Sequence, residues 1–153
     1  MSTQNTTKGV MLKIAAVLWV IWGLVHVFAG VITISKEAPQ GVQGIADAVD
    51  PATLDVTYPD AAGALINQHG FNLAWIGVVT TVCAVFVWRG SQNGILLAAL
   101  VGGLTDLGYF LFMDLGGYVH FVPGTVMTLI CAAAIAISFY AHFGLNEATA
   151  TSA

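Results

Sequence analysis

The sequence predicts an all-α membrane protein: a bundle of four transmembrane helices running up and down, with one long extracytoplasmic loop between the first and second. Three observations carry this. Only 8% of the 153 residues are charged, against about 25% in a soluble domain. Hydrophobic residues make up 58%, and the mean hydropathy is +0.85. The apolar residues also gather into four runs of roughly the 20 residues that cross a bilayer as helix.

The first run is Ile14–Ile34 (IAAVLWVIWGLVHVFAGVITI), with no formal charge. Lys8 and Lys13 precede it like the basic flank of a signal peptide, and Ala29-Gly30 is faintly like a cleavage site. The apolar stretch exceeds the roughly 7–15 residues of a cleaved leader, so an uncleaved signal-anchor helix is expected. The second run is Phe71–Trp88, short but uncharged. The third, Gly94–Leu115, contains Asp106 and Asp114. The fourth, Phe121–Phe143, has Pro123 in its first turn, where the missing N–H has no helical partner to lose.

Between the first two spans, residues 35–69 form the only long link. It carries Glu37, Asp47, Asp50, Asp55 and Asp60 against Lys36, with Pro39, Pro51 and Pro59. Within it, QGIADAVD (43–50) sets Ile45 and Val49 four apart, the spacing of a short amphipathic helix lying on a membrane surface. The links RGSQN (89–93) and GGYVH (116–120) are short, so the helices they join are antiparallel neighbours. Residues 1–9 and the small, polar tail after His142 are expected to be frayed.

Basic residues collect on the cytoplasmic side of membrane proteins. Placing both termini inside puts Lys8, Lys13 and Arg89 there and leaves only Lys36 outside. The expectation is therefore a multi-pass protein of a prokaryotic plasma (inner) membrane, N-in and C-in, with the acidic link outside. Trp88 and Tyr140 then mark the inner boundary, and Trp75 and Tyr118 the outer one, as aromatic belts do.

The polar residues inside these spans are the candidate site. At 1.5 Å per residue, His26 and Asp106 both lie about 12 Å from the outer ends of their helices. An aspartate at such depth costs about 2.5–3.5 kcal/mol on insertion scales, so it must be neutral, paired or hydrated. His26 is the expected partner. On helical spacing, Trp19, Trp22, Gly23, His26 and Gly30 share a face of the first helix. His69, Asn72, Ile76, Thr80 and Cys83 share one on the second, and Gly102, Asp106, Tyr109 and Met113 one on the third. Gly124, Thr128, Cys131 and Ser138 do so on the fourth. Small residues at this spacing allow membrane helices to approach closely. His26, Asp106, Asn72 and Tyr109 are thus expected to form a ligand or proton pocket in the outer half of the bundle.

His69, Asp114 and His120 fall near the outer ends of their helices and are the candidate metal ligands, although Asp114-x5-His120 matches no standard ligand spacing. Polar residues are ordinary at wet helix ends. A b-type haem needs two axial histidines at one depth, and His26 has no partner at its level. Cys83 and Cys131 lie inside spans, where cysteine acts as a small hydrophobe. The chain has neither a Gly-rich phosphate loop nor a basic patch, so nucleic-acid binding has nothing to rest on.

Four spans, with a histidine in the first within GLVHVFAG (23–30), resemble the broad group of small DoxX-like bacterial membrane proteins. The resemblance is architectural and covers residues 14–143. It rests on no specific motif, so no functional residues are carried over. It implies quinone-coupled oxidation or an accessory membrane role.

Three classes of role remain open. The first is a non-enzymatic accessory or assembly subunit of a larger membrane complex or homo-oligomer, surrounded by lipid. The second is a redox or ligand-binding protein holding a quinone, metal or haem in its polar pocket. The third is a small proton-coupled transporter or channel. The first is favoured by small size and by the lack of a catalytic motif.

Overall fold

A computed structural model describes residues 3–144, and the polar tail beyond Gly144 lies outside them. Every regular element among the described residues is helical. Four segments are long and apolar enough to cross a membrane: Asn5–Ser35, Asp60–Trp88, Gln92–Asp114 and Phe121–Gly144.

Helix α1 covers Thr3–Ser35, so Lys8 and Lys13 sit on helix and the expected fraying of residues 3–9 is not seen. A helix gains one hydrogen bond for each residue added once it is nucleated, so the oily segment extends readily into the polar one. Two short helices follow: α2, Ala38–Ile45, with a proline in its first turn, and α3, Pro51–Leu54. Asp50 caps α3 by accepting the Ala52 N–H at 3.0 Å, an ordinary use of aspartate before a helix. The amphipathic helix expected over 43–50 thus lies earlier. It ends at Ile45, and the Gln43 side chain donates to the carbonyls of Asp47 and Val49, holding residues 46–49 as a turn.

Helix α4 spans Asp60–Trp88, eleven residues earlier than the apolar run begins. Pro59 precedes it and Asp60 occupies its first turn, where an acidic side chain complements the helix dipole. The long link therefore contracts to residues 36–59. Gly90, with φ of +76°, closes α4 in a left-handed conformation that costs glycine little. Ser91 then starts α5, Gln92–Tyr109, by accepting the Gly94 N–H. A π-helical turn at Phe110–Asp114 continues α5. Another at Phe121–Thr125, broken at Val122, leads into α6, Val126–Phe139.

The four long helices form a ring in the order α1, α4, α5, α6, with α1 also against α6. The tightest seam joins α1 and α4 through paired glycines. A Cβ on Gly23 would run into the Gly77 carbonyl, and one on Gly77 into the Gly23 carbonyl. Gly30 and Gly70 oppose one another in the same way. Both helices repeat glycine every seventh residue, two turns apart, so backbone meets backbone along an antiparallel seam.

The core sits toward the end of the bundle that holds the α4–α5 turn, around Trp19, Trp22, Val87, Ile95, Ala98 and Ala134, all fully buried. The outward faces are apolar instead, with Phe28, Leu65, Leu104 and Phe112 more than half exposed. That inversion of the soluble pattern suits hydrocarbon surroundings.

Candidate functional site

Asp106 lies on the inward face of α5 and is only 5% exposed. Its partner is Trp22 on α1, whose indole Nε1–H donates to Asp106 Oδ2 at 3.0 Å. Trp22 is fully buried, so the bond crosses the middle of the ring from α1 to α5. The Cys131 thiol of α6 also lies beside the carboxylate.

His26 is one helical turn beyond Trp22. Its ring stacks on the indole, with centroids 3.6 Å apart and planes 23° from parallel. Its Nδ1 lies 2.8 Å from the Trp22 carbonyl oxygen. A carbonyl only accepts, so Nδ1 carries the hydrogen and the neutral ring leaves Nε2 bare. That Nε2 stands 4.0 Å from Asp106 Oδ1. The distance is too long for a hydrogen bond but short enough for an ion pair when the ring is protonated. The expected His26–Asp106 contact is thus a neighbourly one, and the direct partner is a tryptophan.

Trp22 was legible as a bundle-lining residue but not as the donor. The available signal was its spacing: it shares the His26 face and stands one turn deeper. The same face holds Trp19, which packs over Gly102 in a place where a Cβ would clash. The Trp19 indole N–H finds no acceptor among the described residues.

The remaining candidates do not join this centre. Asn72 accepts from its own neighbour Trp75 at 3.1 Å on an exposed part of α4. The buried residues of α4 are Gly70, Gly77, Thr80, Cys83, Ala84 and Val87, so Thr80 and Cys83 of the expected stripe pack inward, whereas His69, near the start of the helix, is exposed. Tyr109 is half-buried and its hydroxyl packs against Gly124 of the π-helical turn. Of the four residues expected to share a pocket, His26 and Asp106 are adjacent, whereas Asn72 has its own partner and Tyr109 packs toward Gly124.

The metal triad fails on geometry. Asp114 accepts from two hydroxyls of the fourth span, Thr125 Oγ1 at 2.6 Å and Thr128 Oγ1 at 3.0 Å. It is a clamp between the third and fourth spans rather than an idle carboxylate at a wet edge. His120 is exposed, and its backbone N–H, not its ring, is bound, donating to Asp47 Oδ1 at 2.8 Å. His69 is exposed and lines an apolar cavity of about 240 Å³ with Val42, Ile45, Leu65 and Met113. Among the described residues no three His, Cys, Asp or Glu side chains gather as a metal-binding group.

The long link between α1 and α4 is nonetheless built onto the bundle. Besides the Asp47–His120 bond, the Ala48 N–H donates to the Tyr118 carbonyl at 3.1 Å. These two bonds fasten residues 47–48 across the turn between the third and fourth spans, so the acidic link forms a docked cap. The chain matches no family model, no curated protein and no solved structure.

Proposed function

We propose that this is a multi-pass protein of a prokaryotic plasma membrane, with both termini cytoplasmic, serving as a non-enzymatic accessory subunit of a larger membrane complex. The observation that carries this reading is the Trp22–Asp106 hydrogen bond in a closed place. Asp106 is 5% exposed and Trp22 fully buried, so the deepest carboxylate is occupied in joining α1 to α5. A group so engaged serves assembly of the bundle, and the lipid-facing surface is then left to meet partners. Reporter fusions at both termini and at residue 55 test the orientation, and a cytoplasmic signal at residue 55 would contradict it. Native mass spectrometry of protein drawn from its own membrane in mild detergent tests the role. A stoichiometric partner protein is expected. A lone chain carrying stoichiometric metal or haem would overturn it.

One observation favours a second reading, a proton or ligand site. His26 keeps 12% of its side chain exposed while standing 4.0 Å from a buried carboxylate oxygen, which places two titratable groups between the surface and the core. Proteoliposomes carrying Asp106→Asn distinguish the readings, because unchanged proton flux removes Asp106 as a working group.

A further inference from the structure

A groove of about 430 Å³ runs along the outside of the α4–α5 seam. Its walls are Val78, Val82 and Phe86 of α4 and Leu97 of α5, with Cys83 and Gly94 at its base. Gly94 is there because α4 and α5 touch at that point: a Cβ on it would strike Phe86. The groove is not uniform along its length. Toward mid-span it is wholly aliphatic and aromatic, whereas its end near the α4–α5 turn is lined by Ser91 and Asn93. At about 100° per residue, Arg89 falls on the same stripe of α4 as Val78, Val82 and Phe86, roughly one turn beyond Phe86. Arg89 is exposed and is the only arginine in the chain.

We propose that this groove binds one anionic phospholipid from the leaflet at the Arg89 end, its acyl chain along Val78–Phe86–Leu97 and its phosphate against Arg89 and Asn93. The gradient from apolar wall to cationic mouth matches an amphiphile of that charge and orientation. Among the described residues no carboxylate lies at this end of the bundle, so a second copy in the same orientation would take water from Arg89 without bringing it a counter-charge. Guanidinium binds phosphate through paired N–H donors, and basic sites between membrane helices select anionic headgroups. The inference rests on the membrane placement proposed above, not on the accessory role.

Native mass spectrometry in mild detergent, with phosphatidylglycerol or phosphatidylcholine of equal chain length, tests it. Recovery of the chain without detergent would remove the membrane placement and this site together. With detergent required, one retained phosphatidylglycerol is expected, bound more tightly than phosphatidylcholine by about fivefold, the preference one surface cation confers. Arg89→Gln should erase the headgroup preference, and Val82→Phe, filling the groove, should weaken both lipids alike. Asn93→Leu, at an exposed position, should lower the preference without loss of folding. Equal retention of the two lipids, or a preference that survives Arg89→Gln, would overturn the proposal. So would lipid retention unchanged by Val82→Phe, or a dimer that no longer forms with Val82→Phe.

Discussion

Trp22 and Asp106, 84 residues apart in sequence, meet at 3.0 Å in the buried middle of the four-helix ring. The pairing answers the energetic problem posed by a carboxylate deep in an apolar span. An acceptor buried without a donor costs about 1–3 kcal/mol, and more when charged. An indole N–H is a donor whose body is itself apolar, so it serves the carboxylate without adding a second charge to the core. His26 completes the arrangement by stacking on the same indole, which fixes the ring that does the donating.

The glycine seam gives a sharp steric prediction. Gly77→Leu places a side chain where the Gly23 carbonyl and Val27 already lie, and overpacking of this kind costs about 1–3 kcal/mol or more. Gly108→Ala, where a Cβ meets nothing within 4 Å, should be neutral or gain about 0.5–1 kcal/mol. Thermal unfolding in detergent of the two variants checks the contrast. Equal midpoints would mean that the α1–α4 seam is not a backbone contact.

Asp114 is expected to matter for local order rather than for metal content. Asp114→Ala leaves the Thr125 and Thr128 hydroxyls without their shared acceptor, a loss of about 1–3 kcal/mol. Hydrogen exchange should quicken at residues 118–128 while the amides of α1 keep their protection. Bound metal should be the same before and after the substitution.

The docked cap depends on two bonds, one of them from a side chain. Asp47→Ala removes the acceptor of the His120 N–H and should weaken docking by about 0.5–1.5 kcal/mol. Limited proteolysis reads this directly: cleavage between residues 46 and 57 should accelerate with the bundle still folded. An unchanged cleavage rate would show that the link is held by the Ala48–Tyr118 bond and α2 packing without help from Asp47.

Much of this was legible in the sequence, and what was not has physical reasons. The apolar runs announced four spanning helices because hydrocarbon demands about 20 residues without charge. They could not announce where α4 begins, because its first turns, DAAGALINQHG, are too polar to register as a span. Pro59 followed by Asp60 was the available start signal. Depth matching correctly brought His26 beside Asp106, since rise per residue is fixed. It could not select the donor, because Trp22 reads as an apolar residue until its N–H is seen to point at an oxygen. Of the α4 face counted from the sequence, Thr80 and Cys83 are buried, whereas His69 is exposed and Asn72 bonds to Trp75, because a helical wheel fixes angle but not what covers the inward side at each turn. The glycines at 70 and 77, matching 23 and 30, were the better marker of that side. Asp114 and His120 share depth and ligand chemistry in the sequence, but depth does not fix contact, and their partners are two threonines for one and Asp47 for the other.

The central claim is that Asp106 locks α1 to α5 through Trp22, and a double-mutant cycle measures that most directly. Trp22→Phe and Asp106→Leu should each cost about 1.5–3 kcal/mol in unfolding free energy, as bonds to a charged or strongly polar partner do. Together they should cost clearly less than their sum, with a coupling of about 1 kcal/mol or more, within the range seen for residues in contact. Asp106→Asn, which keeps an acceptor for the indole, should recover most of the loss. Strict additivity of the two substitutions, or an Asp106→Leu protein as stable as the parent, would contradict the lock and return Asp106 to the list of working carboxylates.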